Sequence, residues 1–432
     1  PVQATLEPLA MAAVSSPMHC EPTRAAGLAR LAEFLPRAGR FYSEHRNSDE
    51  GGGDTPRRHV SHLSPWLHAG LLGEAEVVDA VLGQHSPRAA EKFIAEVFWR
   101  VYFKGYLEQR PSIWASYRAG RDRALAALEA NAGLRTAYTQ ATEGRTGIAA
   151  FDHWAHELVE TGYLHNHARM WFASIWIFTL RLDWHLGADF FLKHLIDGDA
   201  ASNTLSWRWV GGLHTKGKHY LARADNIARY TAQHPQGPLA APGLADDAAP
   251  LEEPADHPRV ALDLPGPISA ADLSEPFALL LHDEAAHAAP LDLPGVPALV
   301  IGATRSGARS PDGAAPRAQA FAHGAVASGV AEASTRYGCA AATWPTGMHL
   351  ADVLACQNIA RIAVPYLPQG WTRDQLWPEL AAFAAQGRIV TVLPALSRAT
   401  WPHARAGFFG VSKQIETVLG TCGITGSVLA AG

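Results

Sequence analysis

The sequence predicts an α + α/β molecule: a helical domain followed by a small parallel α/β (Rossmann-like) domain. Three observations predict it. At 432 residues the chain is too long for one ordinary core, so two domains are expected. Its first half repeats apolar residues every three or four positions, the period of a helix. Its last third alternates short strand patterns with helical ones, which implies a parallel sheet flanked by helices.

The elements follow in order. "PVQATLEPLAMAAVSS" lacks a basic region followed by a long apolar run, so residues 1–20 read as a loose tail rather than a leader. Residues 21–230 read as the helical domain. "AAGLARLAEFLPRAGRFY", "EKFIAEVFWRVYFKGYL" and "GIAAFDHWAHELVETGYL" each carry the helical period. "LHNHARMWFASIWIFTLRLDWHL" is apolar almost all round, as a helix at a domain centre is, with Asp183 and Gly187 punctuating its end. No strand is expected before residue 290. Residues 231–297 are rich in Pro, Ala and acid and read as an extended linker over the surface. Residues 298–432 read as the α/β domain. "PALVIGA", "GCAAATW", "IARIAVPYL" and "RIVTVLPAL" are its strands, and "RAQAFAHGAVASGVAEASTRY", "GMHLADVLACQN" and "TRDQLWPELAAFAAQG" its helices. "GATRSGARSPDG" has neither G-x-G-x-x-G nor a Walker lysine, so it reads as a plain strand-to-helix loop rather than a phosphate site.

Composition narrows the function classes. Cysteines 20, 339, 356 and 422 form no C-x-x-C pair, which argues against a zinc ribbon, an iron–sulfur cluster or a secreted disulfide framework. No long apolar run free of charge suggests a membrane span, and a cytoplasmic setting is expected. Lys+Arg against Asp+Glu is 25 to 24 over residues 1–236 and 11 to 17 over residues 237–432. A polyanionic partner is therefore expected on the first part.

Chemistry concentrates in the helical part. "HLIDGDAASNTLSWRW" places Asp197 and Asp199 around a glycine at a helix end. A helix stop and a new N-cap account for the aspartates, but not for Asn203, Trp207 and Trp209 beside them. Two acids at a buried turn need partners, and Arg169 is a candidate. "HNHARM" and "HWAHE" offer His165, His167, His153, His156 and Glu157. Spacing of i, i+2 points ligands to different helix faces and no H-E-x-x-H is present, so ordinary helix-surface or hydrogen-bonded histidines are expected and no metal. "FYSEHRNSDEGGGDTPRRHVSHLSPWL" sets Ser61, His62 and Ser64 where a helix opens at Pro65. That suits a phosphate at a helix N-terminus, and equally a Ser64 N-cap with proline at N1.

Together these residues carry a resemblance. From about residue 28 to 212 the chain resembles the flavin-binding domain of the DNA photolyase and cryptochrome family. The motifs are "YSEHR", "SHLSPWL", "EVFWR", "GRTG", "TGYLHNHARM" and "LIDGDAASNTLSWRW", in order and at family-like spacing over a little under half of the chain. The resemblance implies an all-α domain that holds FAD beside a cavity open to DNA. It implies that Tyr42, Ser61, His62, Leu63 and Ser64 hold the phosphates and ribose. Arg100, Arg169, Asp197 and Asp199 then belong to the cofactor's surroundings, and Asn203 faces flavin N5. Glu96, Trp99, Asn166, Met170 and Trp209 match contacts to a flipped pyrimidine dimer in damaged DNA. Trp207 and Trp184 match the first two relay tryptophans. The implied catalytic set is Glu96, Asn203, Trp207 and Trp184, in a monomer that repairs cyclobutane pyrimidine dimers with light and reduced FAD.

The chain also departs from the family. Its α/β pattern comes after the flavin domain instead of before it, which leaves an antenna chromophore open. No tryptophan matches the third relay position, and Trp176, eight residues before Trp184 on one expected helix, is the candidate. His167 stands where many relatives have Arg, and Val60 where Thr is common. After Gly212 the sequence diverges, and its Lys216, Lys218, Arg223 and Arg229 are expected to face DNA. A cryptochrome-like photoreceptor without repair activity is the alternative reading, and a helical metalloprotein the third.

Overall fold

The computed structural model describes residues 20–52, 57–355 and 357–426. The expected tail over residues 1–20 lies, apart from Cys20, outside the described residues. Helices come first: α1 (Arg24–Phe34), α2 (Arg40–His45), α3 (Ser64–His68), α4 (Glu74–Leu82), α5 (Pro87–Glu108), α6 (Pro111–Ala130), α7 (Ala132–Thr142), α8 (Ala149–Thr161), α9 (Asn166–Ser174), α10 (Trp184–His194), α11 (Ala200–Gly211) and α12 (Ala224–Tyr230). Strands β1 (Phe277–His282), β2 (Leu299–Ala303), β3 (Ala340–Thr343), β4 (Arg361–Pro365) and β5 (Ile389–Val392) follow. With them come α13 (Pro316–Tyr337), α14 (Leu350–Leu354), α15 (Trp371–Ala385), α16 (Ala395–Thr400), α17 (Phe409–Ser412) and α18 (Ile415–Thr421).

The long helix α5 shows how the sequence builds the first part. Ser86 caps it by accepting from the Ala89 amide, and Pro87 fills the first turn, where no amide donor is needed. Phe93, Val97, Val101 and Gly105 then fall on one buried stripe. Pro36 breaks the first expected helix: a short 3-10 turn over Leu35–Arg37 separates α1 from α2.

Two expectations are corrected here. The central apolar run is not one helix. After α9 the chain takes a π-helical turn over Ile175–Thr179 and breaks, with Arg181 at φ 54°. Asp183 starts α10 as its N-cap, accepting from the His185 amide, so it opens a helix instead of ending one. Gly187 lies inside α10. Trp176 and Trp184 therefore do not share the one helix expected of them.

The second correction concerns β1. It lies inside the stretch read as linker and is the central strand of the sheet, whose order is β3-β2-β1-β4-β5 with every pairing parallel. All six of its residues, "FALLLH", are buried. A fully buried strand has no alternation to announce it, and Pro276 and the acids before it hid it further. The rest of the expected linker does cross the surface of the helical part. Ala150 donates to the Ala240 carbonyl, Leu251 to Gly211, and Leu239 and Ala241 are buried there. Of the expected helix over 347–358 only α14 forms.

The two parts share a core. Phe321, Ala325 and Val326 of α13 pack with Leu31, Trp66 and Val78 from the first helices. No described helix is long and apolar enough to cross a membrane.

Candidate functional site

α5, α9 and α11 converge on a cavity of about 380 Å³. Its lining includes Glu96, Trp99 and Arg100 from α5 and Asn166, Arg169 and Met170 from α9. Asp197 and Asp199 enter from the turn before α11, and Asn203, Trp207 and Trp209 from α11 itself. These residues, spread over more than a hundred positions of sequence, meet in one place because helical spacing puts each set on one face.

The acids at the turn are paired. Arg169 Nη2 donates to Asp197 Oδ2 at 2.8 Å, and Ser64 Oγ donates to the same oxygen at 2.5 Å. Burial alone would raise the Asp197 carboxyl; Arg169 and Ser64 outweigh it and hold it below its ordinary value. Asp199 does two jobs. Its Oδ1 caps α11 by accepting from the Ser202 amide at 2.8 Å. Its Oδ2 lies 3.5 Å from Lys104 Nζ, 3.6 Å from His68 Nδ1 and 3.8 Å from Arg100 Nη2. Burial is again overcome: Lys104 and Arg100, with His68 as a hydrogen-bonding neighbour, keep Asp199 well below the usual carboxylate range. Lys104 also reaches Glu284 at 3.3 Å. His68, Asp199 and Glu284 are thus grouped closely enough for a metal, but the Lys104 ammonium already supplies the cation there. Of the histidines in the two motifs, His165, His167 and His156 face the carbonyls of Arg46, Asn47 and Glu143 at 3.0, 2.8 and 2.9 Å, while His153 Nε2 is buried without a hydrogen-bond partner.

Asn203 is oriented. Its Nδ2 donates to the Ala188 carbonyl at 2.9 Å, which leaves the side-chain oxygen for the cavity. Glu96 stands at the open rim. The walls around it push its carboxyl up, with Arg46 and Lys92 pulling the other way. Trp99 is stacked on one face by Phe408, with ring centroids 4.0 Å apart and planes at 13°.

Several expected residues do not line this cavity. Trp184 contacts Tyr117 and His185 instead. Tyr42 packs edge-on against Phe34 and Phe93. Leu63 caps α3, Ser64 occupies its first turn, and Ser64's hydroxyl goes to Asp197, so Ser64 is not the N-cap. His62, at φ 57°, lies against the Tyr163 ring. Ser61 accepts from the Leu63 amide through its hydroxyl and from Arg30 Nε through its carbonyl. Lys216 and Arg223, expected to face DNA, pair on the surface with Asp256 and Asp225 at 2.9 and 3.1 Å.

Sequence reading missed Lys104, His68 and Arg30. Lys104 follows Arg100 by four residues on α5, a spacing that shares a face and was there to be read. Arg30 Nη2 reaches the carbonyls of Arg57 and Val60, a long-range contact without a local signal. A second cavity of about 290 Å³ lies at the carboxyl ends of β1, β4 and β5, among Lys104, Glu284, Tyr366, Leu393 and Trp401.

A family model for the FAD binding domain of DNA photolyase matches residues 93–237. A deoxyribodipyrimidine photo-lyase from Streptomyces griseus is 32% identical over 244 residues, covering 52% of this chain and 49% of that protein. One from a Synechococcus strain is 33% identical over 197 residues, 44% of this chain and 38% of that protein. Among solved structures, a bacterial class III photolyase from Agrobacterium tumefaciens is 26% identical, with a TM-score of 0.38, over 48% of this chain and 41% of its own. The chain spans about half the length, or less, of the curated relatives it matches.

FAD fits the residues present. Arg100 Nη2, Asp197 Oδ1, Asp199 Oδ2 and Trp207 Nε1 are buried without a hydrogen-bond partner. They stand in a cavity whose other walls include Phe103, Ala173, Phe191 and Leu195. Donors and acceptors around flat apolar walls suit a heterocycle with polar edges. In its helical part the chain thus resembles the FAD-binding domain of the DNA photolyase and cryptochrome family, with a parallel α/β domain placed after that part in the sequence.

Proposed function

We propose that this protein repairs cyclobutane pyrimidine dimers in DNA with light. One observation carries the reading: Glu96, Trp99, Asn166, Met170 and Trp209 open onto the same cavity as Arg169, Asp197, Asp199 and Asn203. The first group suits a flipped-out pyrimidine dimer, the second a flavin. Bound FAD, in its reduced form, supplies the light-driven one-electron chemistry.

The chain's own residues supply placement. Arg100, Asp197 and Asp199 would hold the cofactor by atoms that have no hydrogen-bond partner, with Arg169 beside them fixing Asp197 and with Tyr42 and residues 61–64 as the assigned neighbours of its phosphates and ribose. Asn203 presents an oxygen, fixed by the Ala188 carbonyl. Phe408 takes one face of Trp99, so the lesion has the other. Glu96, with its carboxyl pushed up, offers the base edge a hydrogen bond. Trp207 and Trp184 are assigned to electron supply. The second cavity, at the carboxyl ends of the strands, is the position an antenna chromophore would take.

The test is blue-light irradiation of the purified, reduced protein with an oligonucleotide containing one thymine dimer. Restored thymines in light and none in darkness support repair. Flavin binding without dimer splitting would instead favour a cryptochrome-like photoreceptor, a reading motivated by the α/β part following the helical part in the sequence.

A further inference from the structure

The C-terminal part contributes a short projection to the rim of the cavity. Residues 402–415 read "PHARAGFFGVSKQI": two cations, one histidine and no acid, in a half of the chain where acids outnumber Lys and Arg by 17 to 11. Its backbone is held on the helical part at two successive carbonyls. Arg110 Nη2 donates to the Arg405 carbonyl at 2.6 Å, and Tyr102 Oη donates to the Ala406 carbonyl at 2.7 Å. Phe408 then stacks on Trp99, a wall of the cavity. Phe409, next in sequence, is 69% exposed. Lys413 Nζ lies over the Phe409 ring at 4.0 Å, and the Arg405 side chain, also exposed, donates to the Pro402 carbonyl at 3.0 Å. Among the described residues neither cation is in ion-pair distance of a carboxylate, unlike Lys216 and Arg223.

A lone exposed phenylalanine is ordinary. One that directly follows, in sequence, a ring stacked on a cavity wall, with cations nearby that make no ion pair, matches how proteins hold single strands: an aromatic face for a base and positive charge for the backbone. We propose that residues 405–413 are a nucleic-acid contact, in which Phe409 stacks on an unpaired base beside the cavity mouth while Arg405 and Lys413 hold the adjacent phosphates. This rests on the reading of the cavity as a site for damaged DNA, and it adds to that reading a contact made by the C-terminal part of the chain.

The experiment uses the full chain and fluorescence anisotropy with two labelled single strands, one undamaged and one with a single thymine dimer. Phe409→Ala should weaken binding of the undamaged strand roughly 5- to 150-fold, the range for one stacked base, and Phe409→Trp should restore it. Arg405→Ala with Lys413→Ala should reduce the slope of log K against log salt by about 1.4, at about 0.7 for each single-strand phosphate contact. Phe409 and the two cations are exposed, and melting temperatures equal to the unaltered protein's establish that the variants are folded. If the unaltered protein binds both strands and the variants bind them equally well, the projection is no part of the interface and the proposal is overturned while the cavity reading stands. If the unaltered protein binds neither strand, both fail.

Discussion

Glu96 is where residue chemistry decides most about substrate. It touches the cavity from the rim and makes no part of the Arg169–Asp197 or Asp199 networks. Glu96→Ala should therefore leave the flavin absorbance of the purified protein unchanged. It should lower affinity for dimer-containing DNA by roughly 2- to 12-fold, the loss of one hydrogen bond at about 0.5–1.5 kcal/mol. The raised carboxyl sharpens the expectation. A carboxyl that keeps its proton to higher pH donates, and a glutamine amide also donates. Glu96→Gln should thus retain most of the binding and lose its pH dependence, while the unaltered protein weakens as pH rises and Glu96 ionises. Binding titrations at several pH values check this, and a Gln variant as weak as Ala would remove the donor role. At this scale the sequence was informative wherever a motif places residues on one helix face, as with Glu96, Trp99 and Arg100. It was silent about Arg309 of the loop after β2. That side chain reaches the Leu195 carbonyl at 2.8 Å across 114 positions, and no local pattern encodes such a contact.

Among elements, α10 and α11 cross where Gly187 meets Trp207. A methyl group on Gly187 would lie 2.3 Å from the Trp207 ring and 3.0 Å from Trp176. Glycine inside an exposed helix usually costs about 0.5–1 kcal/mol relative to alanine. Here overpacking, at about 1–3 kcal/mol, is the larger effect. Gly187→Ala should therefore destabilise the protein, and denaturant unfolding should show a lower midpoint; a higher one would mean the ring moves aside freely. The same crossing bears on electron supply. Trp207 stands edge-on to Trp176, with centroids 6.2 Å apart, and Trp176 edge-on to the half-buried Tyr138 at 6.0 Å. Trp184 is flanked by Tyr117 and His185. Trp207→Phe should slow photoreduction of bound flavin, read as bleaching of its absorbance under blue light, without affecting repair by chemically reduced protein. If contact governs the next step, Trp176→Phe slows it more than Trp184→Phe; the reverse order would return the relay to Trp184. The break between α9 and α10 was illegible in an unbroken apolar run, because Asp183 reads equally as an end and as a cap.

Across the whole molecule, the loop between β2 and α13 fastens the α/β part to the helical part. Besides Arg309, the Ala315 amide donates to the Lys193 carbonyl at 2.7 Å, and Ser310 Oγ donates to Asp189 Oδ2 at 2.8 Å. The sequence showed the alternation that makes the sheet and read this segment as a plain strand-to-helix loop. It could not show that the loop is a joint, since both partners lie on α10 and the contact exists only after folding. The joint carries a pH signature. Burial raises the Asp189 carboxyl to about 6, against the Ser310 hydrogen bond and Arg121, from an ordinary 3.8. A group whose value rises on folding binds its proton more tightly in the folded state. Its contribution is complete below about pH 4 and is lost as pH rises through about 6. The difference of about 2 units corresponds to about 3 kcal/mol at neutral pH and above. Asp189→Asn keeps an acceptor for Ser310 but has no charge to bury. Relative to the unaltered protein, the variant should gain stability steadily between pH 4 and pH 7 and hold that gain above it. Denaturant unfolding of both proteins at pH 4.5 and pH 8 measures this. A stability difference independent of pH would mean that Asp189 meets enough of the Arg121 charge, 3.9 Å away, to ionise at its ordinary value inside the joint.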